Sequence, residues 1–330
     1  MNRHRNLTAP AIRSLVSEST FVDKSSDCFG QLLRNFGDII APRFRSGRKL
    51  GRNDLDNMFD KTVEVIEKKA ASVEKVFEKK PATRIHPNGE SYAIRSLVAM
   101  KNDTRVTEND LYRLMSFRTC GTRKKVQIVL ADLPIMFTYH AAERLHEFGG
   151  GTEAALKEIA ESLSLFTPLI YLFGETNHPN LDTNFAVPLL SGNGMLLGNF
   201  VIADGARVTS IVYNREGYGT TTPIALQYNV NFVARTFVDK YRMRPHQAYA
   251  MERLMNWNEA YPEEWQKLKN VIIWPDLYCD GNYTFGGPAA DALQAIYNDK
   301  NVIAGLSRDP MQGLPGVTPV DSLELGRFKV

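Results

Sequence analysis

The chain has 330 residues, 43% hydrophobic and 23% charged, with a net charge of only +3. Those fractions suit a globular protein that buries a core, in one large domain or two ordinary ones. They exclude a collagen-like or wholly disordered chain, and the charge is too small to imply nucleic acid by itself. Three widely spaced cysteines, Cys28, Cys120 and Cys279, form no Cys-x-x-Cys pair. Neither a disulfide framework nor a zinc ribbon is indicated, and a reducing compartment, the cytoplasm or a virion, is the expected setting. No signal peptide and no long apolar membrane-spanning run is read.

The charge is unevenly spread. Residues 1–52 carry ten Lys and Arg against four acids, a segment of +6 that leaves the remainder at −3. Arg43, Arg45, Arg48 and Lys49 lie in the basic loop Phe44-Arg-Ser-Gly-Arg-Lys-Leu-Gly-Arg52. Such a loop suits phosphate, because cations displace counterions from nucleic acid; it equally suits a solvated terminal arm. From Asn53, with Asn53 or Asp54 as N-cap, Leu55, Met58, Phe59, Val63, Ile66, Ala70, Val73 and Phe77 predict one helix as far as Lys80, where Pro81 stops it. Lys61, Glu64, Lys68, Lys75 and Glu78 make its opposite face solvated.

Thr107-Glu-Asn-Asp110 predicts a capped short helix to about Met115. Arg118-Thr-Cys-Gly-Thr-Arg-Lys-Lys125 then reads as a basic loop in which Arg123, Lys124 and Lys125 are candidate phosphate contacts. A strand over Val126 to Leu130 follows, within an apolar stretch that runs to Met136. Phe137-Thr-Tyr-His-Ala-Ala-Glu-Arg-Leu-His146 starts a helix that ends near Phe148 at Gly149-Gly-Gly151, and Thr152 starts another. Three strands are expected at Phe185–Leu190, Met195–Ile202 and Arg207–Tyr213, turned by Gly192-Asn-Gly194 and by Asp204-Gly205. Residues 137–213 therefore predict helix, helix and antiparallel meander.

Beyond Arg215 the expectation is mainly helical. Ile224–Tyr241, Pro245–Asn256 and Pro288–Asn298 are candidate helices, and Val271–Trp274 is strand-like. The last 25 residues, with Pro310, Pro315 and Pro319, read as an extended tail. The fold class is α+β. The divisions expected are a basic arm (1–52), a helical region (53–130), an α+β module (131–215), a mainly helical region (216–305) and a tail (306–330).

His140 and Arg144 carry the chemical lead. Four residues apart on a helix, they share a face. Imidazole can move a proton near neutrality, and guanidinium can grip a phosphate with two parallel bonds. A surface helix also acquires such a pair without function. The order of apolar residues, His-Ala-x-x-Arg at a helix start, a second helix and then strands resembles the RelE/BrnT-like ribonuclease toxins. His140, Ala141 and Arg144 carry the resemblance, with Gly194–Gly198 and Val208–Val212 as later strands, over about 80 residues.

The resemblance implies metal-independent RNA cleavage by attack of the ribose 2′-hydroxyl on the neighbouring phosphate, with no cofactor. The pattern departs at Phe148, where such proteins commonly repeat an arginine; Arg207, Arg215 or the 123–125 loop would have to supply that charge. The segment from Phe166 to Thr183 is also long for the family.

His146 reads as a surface residue, His178 and His246 as loop or helix-start residues, and Asp276 and Asp280 as a turn. Gly286-Gly287-Pro288 reads as a plain helix entry, and Tyr278, Tyr283 and Phe285 as candidate base-stacking or core aromatics. Two functions are expected from these residues. The first is RNA binding with a His/Arg endoribonuclease site. The second is a non-enzymatic phage virion or assembly protein whose terminal arms contact neighbouring subunits or nucleic acid.

Overall fold

The computed structural model describes residues 34, 38, 42–43, 46, 48, 50–69, 72–79, 92–101, 111–121, 124–176, 184–202, 208–214, 217–221, 230–273 and 288–307. Nearly all of the basic arm, the Asp204-Gly205 turn, the 274–287 segment and the tail beyond 307 fall outside them. The described residues form nine strands and eight helices, so the α+β class expected from the sequence is observed.

Helix α1 (Arg52–Lys69) buries Leu55, Met58, Thr62, Val65 and Ile66 on one stripe and packs on the first two strands. Its opposite face is solvated, as the Lys68–Glu64 ion pair at 2.6 Å illustrates. The helix stops earlier than expected. Residues Ser72–Lys79 are strand β1, antiparallel to β2 (Tyr92–Lys101).

The short helix expected through Met115 is likewise a strand in its described part. β3 (Leu111–Gly121) is hydrogen-bonded to β2 on one side and β4 (Lys125–Thr138) on the other, so the ladder on both edges overrides the local helical spacing. The basic stretch from Arg118 is mostly strand too, and only residues 122–124 separate β3 from β4. Strand β4 runs through residue 131, so the expected division between 130 and 131 falls inside one strand.

Helices α2 (Tyr139–Glu147) and α3 (Thr152–Leu165) match the expected helix pair. Between them Gly149, Gly150 and Gly151 have φ of 122°, 105° and 79°, values that L side chains disfavour, and this breaks the helix cleanly. The long segment after Phe166 forms α4 (Thr167–Thr176) in its described part.

Strands β5 (Asn184–Pro188) and β6 (Gly194–Ile202) form the expected hairpin. The third strand of the expected meander, β7 (Val208–Asn214), does not continue it. β7 pairs with β4 and with β8 (Gly217–Thr221), while β6 pairs with β9 (Val230–Asp239). The helix expected over 224–241 is therefore strand β9 in its described part.

The C-terminal helices are α5 (Pro245–Ala260), α6 (Pro262–Ile273), α7 (Pro288–Asn298) and α8 (Lys300–Leu306). Val271–Ile273, read as strand-like, is the end of α6, with Ile272 and Ile273 buried.

All nine strands belong to one mixed sheet, in the order β1-β2-β3-β4-β9-β6-β5, with β7 and β8 branching from β4. β4 is the fork. Lys125–Ala131 pairs antiparallel with β7, and Ile135–Phe137 pairs parallel with β9. Between Arg113 and Met115 the β3–β4 register slips, so that β4 has three residues, Leu133 to Ile135, against Leu114 alone. Pro134 sits in that slip, where β4 changes partner and a missing N–H breaks no ladder bond. A second bulge sets Arg235 of β9 opposite no residue of β6. At Gly198, beside it, an added Cβ would come within 2.2 Å of the Val233 carbonyl oxygen.

Leu97, Leu114, Leu133, Ile135, Phe137, Phe232 and Ala234 point to one side of the sheet and meet the helices. The helical side closes around Trp265, fully buried and edge-on to Trp257 with ring centroids 4.2 Å apart. Aromatic pairs of that geometry add about 0.5–1.5 kcal/mol beyond burial. Lys269 of α6 reaches Glu74 of β1 at 2.6 Å, joining the far edge of the sheet to the helical layer.

Candidate functional site

Helix α2 begins where β4 ends because Thr138 serves two strands and a helix at once. Its hydroxyl donates to the Arg235 carbonyl (2.9 Å) and accepts from the Ala141 amide (3.2 Å). An N-cap of this kind contributes about 1 kcal/mol. Ala141, Ala142 and Leu145 then face the core, which turns His140 and Arg144 outward.

His140 and Arg144 share the expected face, and each meets a carboxylate of its own helix. His140 Nδ1 lies 3.4 Å from Glu143 Oε2, with the histidine side chain 55% exposed and the glutamate 8%. Nε2 is thus the ring nitrogen not turned toward Glu143. The Arg144 guanidinium donates to Glu147 Oε2, with Arg144 partly buried and Glu147 exposed. Arg144 and His146 also stand in the last turn, where cations complement the helix dipole. His146 Nδ1 is 3.5 Å from the Thr152 hydroxyl, which ties the two helices across the glycine turn.

The other candidate cations are not gathered there. Lys124 and Lys125 are exposed at the start of β4, and His140 follows its end. At about 3.3 Å per residue the two places lie on the order of 40 Å apart along the strand. Lys124 and Lys125 therefore cannot supply the charge missing at Phe148. Arg43 pairs with Asp54 at the start of α1 (3.2 Å) and Arg48 is exposed in the same loop. Arg45, Lys49, Arg123, Arg207 and Arg215 lie outside the described residues. Phe148 itself packs edge-on to Phe237 at 5.3 Å, so its position is taken up by an apolar contact.

Three participants were not singled out from the sequence. Glu143 was visible three residues after His140, a spacing that puts it on the same face. Thr138 was readable as a cap. Arg235, the bulged residue of β9, is exposed, and its Nε donates to Asn199 Oδ1 at 3.0 Å. Two strands away, Arg113 of β3 pairs with Asp132 of β4 at 2.8 Å. Among the described residues there is no cluster of three or more His, Cys, Asp or Glu that could hold a metal, and no helix long and apolar enough to cross a membrane.

What the arrangement can do chemically is limited and specific. A partly solvated imidazole, oriented through one nitrogen by a buried carboxylate, can exchange a proton at the other. The neighbouring guanidinium is engaged by Glu147 through Nη1, and an anion would compete with that carboxylate for it. No protein family, curated protein or solved structure matches this chain.

Proposed function

We propose that the protein binds RNA and that the outer face of α2 acts on it as a metal-independent endoribonuclease. The observation that carries this reading is the His140–Glu143 pair, with Nδ1 turned to a buried carboxylate and Nε2 turned elsewhere. His140 Nε2 takes the proton of a ribose 2′-hydroxyl as that oxygen attacks the adjacent phosphorus, and returns a proton to the departing 5′-oxygen. The products are a 2′,3′-cyclic phosphate and a free 5′-hydroxyl, and no metal enters. Glu143 holds the ring in place through Nδ1 during the transfer.

Arg144 meets the phosphate oxygens after exchanging Glu147 for them. A partly exposed ion pair is worth about 0–1 kcal/mol, so the exchange costs little. The resemblance of Phe137–His146 to the RelE/BrnT-like toxins supports the same chemistry.

Incubation of labelled single-stranded RNA with the protein in EDTA tests this. Cleavage that yields cyclic phosphate ends and is lost in His140→Ala is expected. Intact RNA after incubation with folded wild-type protein would sink the catalytic reading.

A second reading, a non-enzymatic virion or assembly protein, is favoured by the β8 edge. Among the described residues β8 pairs only with β7, which leaves its outer edge open to a strand of a neighbouring subunit. Light scattering that shows RNA-dependent assembly without cleavage would favour it over the first.

A further inference from the structure

Between β9 and α5 the backbone reverses in a turn that is firmly tied while its side chains stand in solvent. Asp239, buried, accepts the Tyr241 amide through Oδ1 (3.0 Å) and lies 3.4 Å from Arg242 Nε through Oδ2. Its carbonyl accepts the Arg242 amide (3.0 Å), and the Lys240 amide donates to Asn193 of the β5–β6 turn (2.8 Å). Gln247 Oε1 accepts the Arg244 amide at 2.9 Å, so helix α5 is capped without the arginine side chain.

The side chains of this ledge are cationic and aromatic. Lys240, Tyr241, Arg242, Arg244, Tyr249 and Arg253 are all exposed, Tyr241 by 85%. Two of the four exposed large hydrophobic side chains among the described residues, Tyr241 and Tyr249, are here. Lys240 Nζ stands 5.3 Å from the Tyr241 ring centroid. The first turn of α5 holds no acid, and Glu252 is the one carboxylate within 240–253. Asp299, the N-cap of α8, accepts the Tyr249 hydroxyl at 3.4 Å. Among the described residues neither Arg244 nor Arg253 has a carboxylate partner.

Folding does not require this composition. A tyrosine so exposed buries little area, and Arg242, Arg244 and Arg253, which share a single carboxylate partner among the described residues (Asp239, on Arg242), repel one another. Both features match one occupant. Cations spaced along a ledge follow a phosphate backbone, while an accessible ring stacks on a base whatever its sequence. A rigid turn also spares the cost of ordering the chain on binding.

We propose that the Lys240–Arg253 ledge binds single-stranded RNA, with Lys240, Arg242, Arg244 and Arg253 on phosphates and Tyr241 stacked on a base. This rests on the RNA-binding reading above and assigns the grip to a surface other than the α2 face.

Fluorescence anisotropy of a labelled 12-nucleotide uridine-rich RNA tests it, using the full chain, with circular dichroism to establish that each variant folds. The wild type binds with a steep salt dependence. Arg242→Gln/Arg244→Gln weakens binding at least tenfold and flattens the slope of log Kd against log salt by about 1.4, at roughly 0.7 per phosphate contact of a single strand. Tyr241→Ala weakens binding about tenfold with the slope unchanged, and Tyr241→Phe restores it. Lys61→Gln/Lys68→Gln on α1 binds as the wild type does.

Wild-type affinity in both the arginine and Tyr241→Ala variants would overturn the ledge assignment and leave RNA binding standing elsewhere. Failure of the wild type to bind any RNA would remove the RNA reading itself. Oligoglutamate that competes as well as unlabelled RNA would reassign the ledge to an acidic protein partner and overturn the proposal.

Discussion

The two halves of β4 have opposite characters although they are one strand. Lys125–Ala131 lies in an unbroken ladder between β3 and β7, every residue paired in constant register. Asp132–Thr138 contains a register slip and a proline, changes to a parallel partner and ends in the cap of α2. Core burial is similar in both, since Ile128 and Ile135 are each fully buried. The contrast teaches that hydrophobic packing and hydrogen-bond regularity are separate resources. The first half uses both to build a wall. The second keeps the packing and gives up regularity, and so can re-aim the chain and present His140 at a fixed place.

Substitutions can break that comparison, beginning with the largest effect. Phe137→Ala removes a fully buried ring stacked on Tyr112 at 5.1 Å, and should destabilise the fold by about 3–5 kcal/mol in urea unfolding. A loss below about 1 kcal/mol would mean that the second half is loosely packed, and the comparison would fail. Lys269→Ala leaves Glu74 partly buried without its cation and should cost about 3 kcal/mol, whereas Lys269→Met with Glu74→Leu should recover most of it.

Thr138→Ala loses the cap and the bond to Arg235, for about 1–2 kcal/mol, and Thr138→Ser should lose less than half as much. The same change in each half sharpens the contrast. Ile128→Val and Ile135→Val should each cost about 1 kcal/mol, but only the second should speed amide exchange at Asp132 and Leu133. Equal exchange in both variants would show the halves to be one cooperative unit. The smallest effect is expected of Glu147→Gln. Stability should change by less than about 0.5 kcal/mol, while a freed Arg144 should tighten RNA binding.

The helices around the candidate site were legible because their signals are local. Thr138 caps, Ala141 and Leu145 repeat at helical spacing, and Gly149–Gly151 stops. The strands that flank the site were not, and their irregularities explain why. In β9 the inward residues are Phe232, Ala234 and, past the bulged Arg235, Phe237, so that a period of two turns into a helical step of three. Leu111, Leu114 and Met115 imitate a helix in the same way, although β3 is held by two ladders. Val271-Ile-Ile273 erred in the opposite direction, because two successive buried residues, Ile272 and Ile273, at a helix end look like a strand. Arg235 was missed as a consequence of the β9 misreading. The partner of β7 is a long-range choice that no turn residue records.

The bulge in β4 also determines which changes in length the gene can tolerate. Side chains alternate across a sheet, so the two residues that β4 gains over β3 are an even number, and inward and outward keep their identity on both sides of the slip. Removing both residues would shorten the strand yet leave Ile135 and Phe137 facing the helices. Removing one would carry Phe137 to the opposite side and bring Met136 in, and every position up to Thr138 would follow. In β9 the single extra residue, Arg235, has already made that exchange, and Phe237 faces the helices because of it. A deletion scan across 132–134 should therefore alternate between folded and unfolded protein as the number removed passes from even to odd.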